Sequence, residues 1–261
     1  MEYIFISDVH LGAFDDDKSR RIEKDLIGLI DFCDEKNITP VLLGDIFDYW
    51  MEFPFIIPDI GTALLNRFRK FNRNHQPVIY ITGNHDNWTN GYFKNAGFDV
   101  EHEYRLLNFD NKKILLLHGD GLSDRKFQLP RPAFHRIIRN KIFIKLFQSV
   151  LSPKTALGVM KKFSSYSRKK DSNNVEKLNT WAKDILNNSE IDYILSGHDH
   201  VPRKETFRGG SYLNSGAFSE NNSVIYYSNK EFSMITWNTI NRTLEPLNKT
   251  DKHNPLELIN E

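Results

Sequence analysis

Two short words in the chain share one spacing, Asp8-Val9-His10 and His198-Asp199-His200. Residues i and i+2 at the end of an extended strand point the same way, so each pair is expected to hold one ion. Asp45 follows Gly44, Asn84 follows Gly83 and His198 follows Gly197. A glycine there lets the backbone turn sharply and leaves room for a bound ion or phosphate. With His118 added, the candidate donors are Asp8, His10, Asp45, Asn84, His118, His198 and His200. They are carboxylate, imidazole and carboxamide groups, a set that suits manganese, iron, zinc or nickel and disfavours soft thiolate sites. Alone, an Asp-x-His word is close to noise and a Gly-Asp pair is usually a turn. Gly83-Asn84-His85-Asp86 is more specific, and the occurrence of all these words in one order, each after an apolar run, carries the inference.

Those apolar runs are the elements that must position the donors. Tyr3–Ser7, Val41–Leu43, Val78–Thr82, Ile114–Leu117 and Tyr193–Leu195 are each short enough for a buried strand. Helical spacing over Ser19–Glu35, and again over 175–186 after the candidate caps Ser172-Asn173-Asn174, separates some of them. The alternation predicts an α/β fold with much parallel sheet, in which ligands sit beyond the carboxyl ends of the strands. Ser211–Asn214, Ser223–Ser228 and Phe232–Trp237 are closely spaced strand patterns and are expected to form a meander on a second sheet. The tail after Asn241 is polar and expected to be peripheral.

The chain has 261 residues, enough for one large domain spanning 1–261 with an insertion. Its 19 Phe, 10 Tyr and 4 Trp exclude disorder as the dominant state. One cysteine, Cys33, excludes a disulfide scaffold and falls on the apolar stripe of the first helix, as a buried thiol would. No stretch approaches the length of a membrane span, and the first residues lack the basic region of a signal peptide, so a cytoplasmic protein is expected. Charge is balanced overall but not locally. Residues 125–170 carry thirteen Lys and Arg and no Asp or Glu, leaving 22 basic against 34 acidic residues elsewhere. Such a split points to a segment that meets an anion, with a solvated helical face as the plain alternative. Pro130, Pro132 and Pro153 divide this segment into two expected helices inserted between the strands that end at His118 and His198.

Taken together, Asp8-Val9-His10, Gly44-Asp45-Ile46-Phe47-Asp48, Gly83-Asn84-His85-Asp86, His118-Gly119-Asp120 and Gly197-His198-Asp199-His200 resemble the signature of the calcineurin-like metallophosphoesterases. The resemblance implies a four-layer αββα sandwich with a helical cap insertion. It implies two divalent ions, manganese first, with iron, zinc or nickel as alternatives. One would lie on Asp8, His10, Asp45 and His200, the other on Asp45, Asn84, His118 and His198, with Asp45 bridging. The ions outweigh the charge of Asp8, Asp45 and a bridging hydroxide, so a phosphate is received by a positive site and attacked by water. His85 would contact the phosphate, and Asp48 would orient His85 unless it is a surface turn residue.

Within that superfamily the sequence is similar to the UDP-2,3-diacylglucosamine diphosphatases of lipid A synthesis. The shared features are Ser7-Asp8-Val9-His10-Leu11-Gly12, Gly44-Asp45-Ile46-Phe47-Asp48-Tyr49-Trp50, His118-Gly119-Asp120-Gly121-Leu122 and a basic helical insertion, residues 125–170. The likeness implies hydrolysis of a lipid-linked nucleotide sugar to UMP and an acylated sugar phosphate, peripherally on the cytoplasmic face of the inner membrane. It adds Asn84, His85, Asp124, Ser167, Arg168 and Lys169 as substrate contacts. Departures fall at His85, where the well-studied branch carries arginine, at Asp124 and Phe127, which come early, and at Leu213-Asn214-Ser215-Gly216, where that family ends in Gly-Asp-Trp. The apolar residues of the insertion, among them Ile142 and Phe147, match a lipid or, alternatively, a partner subunit. A soluble nucleotide or another phosphodiester is the alternative substrate, nucleic acid is the least favoured partner, and the oligomeric state stays open.

Overall fold

Along the first strand Ile4 and Ile6 face one layer and Phe5 another, the two-residue period of an extended segment buried on both sides. The computed structural model describes residues 1–53, 56–161 and 175–247. Its strands are β1 (Tyr3–Ile6), β2 (Thr39–Leu42), β3 (Ile79–Ile81), β4 (Asp99–Glu101), β5 (Tyr104–Phe109), β6 (Lys112–Leu117), β7 (Tyr193–Ser196), β8 (Arg203–Phe207), β9 (Gly210–Asn214), β10 (Ser223–Ser228), β11 (Glu231–Asn238) and β12 (Thr243–Pro246). They form a sheet in the order β12-β11-β10-β1-β2-β3-β4 and a second in the order β5-β6-β7-β9-β8. Pairing is parallel from β1 through β4 and from β6 through β7 to β9, and antiparallel elsewhere.

The buried faces define four layers. Ile4, Ile6, Leu42 and Tyr80 pack on Leu26, Leu29, Leu64 and Phe68 of α1 (Asp16–Lys36) and α2 (Thr62–Asn74). Phe5, Val41 and Ile81 meet Ile114, Leu116, Leu195 and Leu213 of the other sheet. Leu115, Leu117, Ile194 and Tyr212 turn outward onto Leu178, Trp181 and Leu186 of the helix Val175–Asn188. The expected αββα sandwich is the fold found. In α1 the side chain of Asp15 accepts from Lys18 N at 2.9 Å and Asn37 closes the far end in the left-handed conformation. Cys33 is buried on its apolar stripe as expected, and burial pushes its thiol pKa up.

The expected C-terminal meander is not formed. β9 pairs in parallel with β7 in one sheet, whereas β10 and β11 pair with each other and, through β10, with β1 in the other. A short helix, Phe218–Asn221, lies in the crossing between the sheets. Strand patterns report extension and burial but not which edge is open, and the edge beside β1 is filled by β10. The polar tail contributes β12 at the sheet edge, a peripheral place as expected.

After the short helix α3 (Tyr92–Asn95), the basic insertion contributes α4 (Ala133–Ile138), α5 (Lys141–Val150) and α6, a helical stretch over 153–161. The helix Val175–Asn188 is α7 and Phe218–Asn221 is α8. The proline count predicted two helices in the insertion. A further break comes at Asn140, whose side chain accepts from the amides of Ile142 and Phe143 and restarts the chain as α5. Among the described basic residues of the insertion, Arg131 and Arg139 are consumed as anchors. Arg139 meets Asp120 through Nε at 3.1 Å and Nη2 at 3.0 Å, and Arg131 meets Glu103 at 2.9 Å and Asp120 at 3.4 Å.

Burial alone would favour the neutral Asp120 carboxyl, but the charges of Arg139 and Arg131 hold its pKa down at about 2. A carboxyl depressed in the folded state contributes stability above its unfolded value near ~4 and loses it as pH falls through the folded one. The metal-free protein should therefore be more stable than its Asp120→Asn variant by roughly 2 kcal/mol near neutrality. Urea unfolding between pH 6 and pH 2 should show this gap closing below about pH 4; a gap that persists unchanged to pH 2 would remove the assignment.

Candidate metal centre

The donors follow the carboxyl ends of β1, β2, β3, β6 and β7, where the parallel parts of both sheets leave their backbones open. The backbone there is not extended. Asp8, His10, Asp45, His198 and His200 all have positive φ, between 50° and 80°. Left-handed residues other than glycine are strained, and such strain persists where surrounding contacts over-determine it. Two glycines permit this packing. A Cβ on Gly83 would fall 2.0 Å from Asp45 Oδ1, and one on Gly197 would fall 2.1 Å from Ser7 Oγ and 2.3 Å from Asp8 Oδ2. These glycines make room for the carboxylates themselves, where room for an ion or phosphate was expected.

Two donor groups result. Ligand atoms of Asp8, His10 and His200 lie within 4.8 Å of one another, and so do those of Asp45, His118 and His198. Of the two i, i+2 pairs, Asp8 and His10 fall in one group, whereas His198 and His200 fall in different groups. Backbone alone does not separate the two pairs, since Asp8 and His10 are left-handed as well; the neighbours do, with the His198 ring 5.0 Å from that of His118 and the His200 ring 5.0 Å from that of His10. Asn84 Oδ1 lies 3.1 Å from His118 Nε2 and so faces the second group.

Each donor is held by one edge and presented by the other. His118 Nδ1 donates to the Leu43 carbonyl at 2.8 Å, turning Nε2 toward Asp45 Oδ2 at 3.2 Å. His85 Nδ1 donates to the Asp48 carbonyl at 2.8 Å, leaving Nε2 directed at the site, 3.9 Å from Asp45 Oδ2. The Asp48 carboxylate stands 3.2 Å from His10 Nδ1, so Nε2 of His10 faces His200 Nε2 at 3.1 Å and Asp8 Oδ1 at 3.6 Å. Such partners fix the tautomer and orientation of metal-ligating histidines. Asp48 is therefore a buried orienting group, and the surface-turn alternative does not hold. It reaches His85 chiefly through its main chain, because its carboxylate is 3.6 Å from His85 Nδ1. His10, Asp48 and His85 form a third close group.

The electrostatics fit cations. Asp8 Oδ2 accepts from His198 N at 2.9 Å and from Ser7 Oγ, whereas its buried Oδ1 has only the Nε2 atoms of His200 and His10 near it, at 3.3 and 3.6 Å. A carboxylate oxygen buried in this way is costly unless a cation shares it. Burial alone would drive the proton off His10, but the carboxylates of Asp48, Asp8 and Asp45 raise its pKa to about 10; Asp45 and Asp8 do the same to His118, also to about 10. Burial likewise works against the charged form of Asp45, yet His118, His85 and His10 hold it well below the ordinary carboxylate range. Protons would balance these carboxylates only until divalent ions displaced them. Replacing Asp48 with Asn should weaken metal binding at the His10 group by ~10–100-fold, the usual effect of losing an orienting partner. Titration of the metal-free protein with Mn2+ checks it, and unaltered affinity would reduce Asp48 to a packing role.

Several residues here were missed by sequence reading. Asp86, last in its motif, accepts from Gly83 N, Ile46 N and Tyr80 OH and ties the Asn84 loop to the Asp45 loop. Asp199 turns away from its histidine neighbours and pairs with Arg203 through both terminal nitrogens, at 2.8 and 2.6 Å. Their motif positions signalled importance but not direction. His135 of α4, a histidine inside the basic segment, brings its ring within 6.4 Å of His198. Asp124 does not join the donor groups; it caps the turn Arg125–Phe127 and accepts from Tyr104 OH at 3.0 Å. Ser167, Arg168 and Lys169 lie outside the described residues.

Two sheets with helices outside, and paired histidine and carboxylate groups at their carboxyl ends, define a metal-dependent hydrolase of phosphoric esters or anhydrides. The chain belongs to the calcineurin-like phosphoesterase family, whose model matches residues 1–202. It is similar to a UDP-2,3-diacylglucosamine hydrolase of Porphyromonas gingivalis, 24% identical over 76% of this chain and 82% of that protein. It is also similar to one of Aliivibrio fischeri, 24% identical over 90% of this chain and 98% of that protein. Among solved structures, the E. coli phosphoesterase YfcE aligns with a TM-score of 0.46 and 15% identity over 94% of this chain and 96% of that one.

Proposed function

We propose that the chain hydrolyses the diphosphate of UDP-2,3-diacylglucosamine, giving UMP and 2,3-diacylglucosamine 1-phosphate, as a single domain whose basic insertion, residues 125–170, caps the site. The similarity to hydrolases of that name supports it. The observation that carries it is α5, in which no residue is buried. Ile142, Leu146 and Val150, 78%, 61% and 72% exposed, repeat every fourth residue along one face beside Lys141 and Lys145. An apolar strip with cationic heads is what acyl chains on an anionic headgroup require. Phe147, first grouped with these, instead packs edge-on against Trp88 at 5.3 Å. Among the described residues no helix is long and apolar enough to cross a membrane, so α5 lying on a cytoplasmic membrane face is the proposed mode of access.

The residues suit two divalent ions, manganese by preference, on Asp8, His10 and His200 and on Asn84, His118 and His198, with Asp45 between them. When bound, such ions acidify a water and neutralise charge on the phosphate. The chain's own groups do the rest. Asp45 and Asp8 fix the ligand loops through His85 N and His198 N. His85, locked by the Asp48 carbonyl, offers Nε2–H, when protonated, to a phosphate oxygen or to the departing one.

Mass spectrometry of products from UDP-acylglucosamines, dinucleotides and phosphomonoesters tests the reading; UMP and the acyl sugar phosphate are the expected pair. Paired replacement of Ile142 and Leu146 by Ser should lower hydrolysis of the lipid substrate by ~10-fold or more, each buried apolar side chain being worth ~1.5–3 kcal/mol. A small chromogenic phosphodiester should be unaffected. Parallel loss on both substrates, or no cleavage of the lipid by the parent enzyme, would leave a phosphoesterase of other substrate.

A further inference from the structure

At α4 three side chains converge on one carboxylate oxygen. Arg139 Nη2, Arg131 Nε and His135 Nδ1 stand 3.0, 3.4 and 3.7 Å from Asp120 Oδ2, and all four side chains are at most 10% exposed. His135 and Arg139 lie one turn apart and Arg131 just precedes the helix, so one face of it makes all three approaches. Asp120 itself is two residues past His118. Arg139 reaches further, donating through Nη2 to the carbonyl of Thr82, two residues before Asn84, at 3.3 Å, and through Nη1 to the His102 carbonyl at 3.0 Å. His135 sets its ring edge-on to that of His198, with the centroids 6.4 Å apart. Pro132, at the start of α4, walls a cavity of about 40 Å³ together with Asp120 and His198. α4 therefore meets the chain beside three donors of the second group, Asn84, His118 and His198. The first group is held from elsewhere, with Asp48 beside His10 and Ser7 Oγ donating to Asp8 Oδ2.

We propose that α4 braces the second donor group, with Arg139 and His135 as positioning residues that hold Asn84, His118 and His198 at the spacing one ion requires. The proposal rests on the two-ion reading and divides the insertion by task, α4 serving the metal centre and α5 the lipid. Topology supports it. Asn84 follows β3 in one sheet, whereas His118 and His198 follow β6 and β7 in the other. Their mutual spacing therefore depends on contacts that cross from sheet to sheet. Arg139 makes one of them, joining the Asp120 carboxylate beyond β6 to the Thr82 carbonyl beyond β3. A guanidinium suits this place because its planar fork presents several fixed donors at once. Partners of this kind orient ligating groups, and losing one typically costs ~10–100-fold in metal affinity.

The test is calorimetric titration of the metal-free protein with Mn2+, in backgrounds that keep one donor group at a time. In the His10→Ala protein the remaining ion sits on the second group, and adding Arg139→Ala should weaken it by ~10–100-fold. In the His118→Ala protein the remaining ion sits on the first group, and Arg139→Ala should leave its affinity unchanged. Arg139→Lys, which keeps the charge but not the fork, should fall between the parent and Arg139→Ala. His135→Gln, which leaves both arginines on Asp120, carries the same comparison if Arg139→Ala does not fold. Equal weakening in both backgrounds would make α4 a general anchor of the fold, and no weakening in either would make it a cover only; each result overturns the brace while the two-ion reading stands. A parent protein that takes up a single ion fails the two-ion reading and removes the proposal with it. No substrate enters the titration, so its outcome is separate from that of the diphosphatase reading.

Discussion

Replacing Asp45 with alanine should abolish tight retention of metal at both donor groups and lower turnover by ~10³-fold or more. The size follows from the several kcal/mol of charge stabilisation that a bound divalent ion supplies, each 1.36 kcal/mol being tenfold. Asp45 Oδ1 holds His85 N at 2.9 Å and Oδ2 stands 3.2 Å from His118 Nε2, so one truncation removes a donor and loosens the loop behind it. Its carboxylate also packs against Gly83, where no side chain could replace it. His10→Ala, by contrast, should empty mainly the group shared with Asp8 and His200. Metal analysis of both purified variants distinguishes them. An Asp45→Ala protein with two tightly held ions and full activity would falsify the bridging role.

His85→Ala should behave differently, lowering turnover by roughly 10²–10⁴-fold with metal content nearly unchanged. The basis is geometric. Nδ1 is committed to the Asp48 carbonyl at 2.8 Å, and Nε2 is 3.9 Å from Asp45 Oδ2, close to the second donor group yet not packed into it. A positioned acid acts on the reacting phosphate, so the loss should appear in kcat for every substrate, the small chromogenic diester included. Loss of an ion on His85→Ala would make His85 a ligand. A normal kcat would remove it from the chemistry.

The donor inventory was legible in the sequence because each donor directly follows a short apolar run, and that relation is local. Asp8, Asp45, Asn84, His118 and His198 all leave strand ends in the order read, and the layers follow from apolar residues that alternate across each strand. Stripe spacing likewise placed α1 and the buried Cys33. What could not be read was anything set by pairing across long separations. The crossing of the chain from β9 to β10 depends on which sheet edge is open, and no local pattern reports that.

The same limit governed the site. The sequence by itself determined which side chains are available, because identity and spacing are covalent. Spacing alone would pair His198 with His200, and the tertiary structure parts them by setting His198 against His118 and His200 against His10, contacts between segments distant in sequence. It also made Asp86 and Asp199 braces, because buried amides, Tyr80 OH and Arg203 needed partners there. In the insertion, thirteen basic residues were countable from the start, but burial consumed Arg131 and Arg139 as anchors on Glu103 and Asp120. Phe147 and Ile142 are both apolar, and packing into the cluster around Trp88 separates the one that is covered from the one that faces outward.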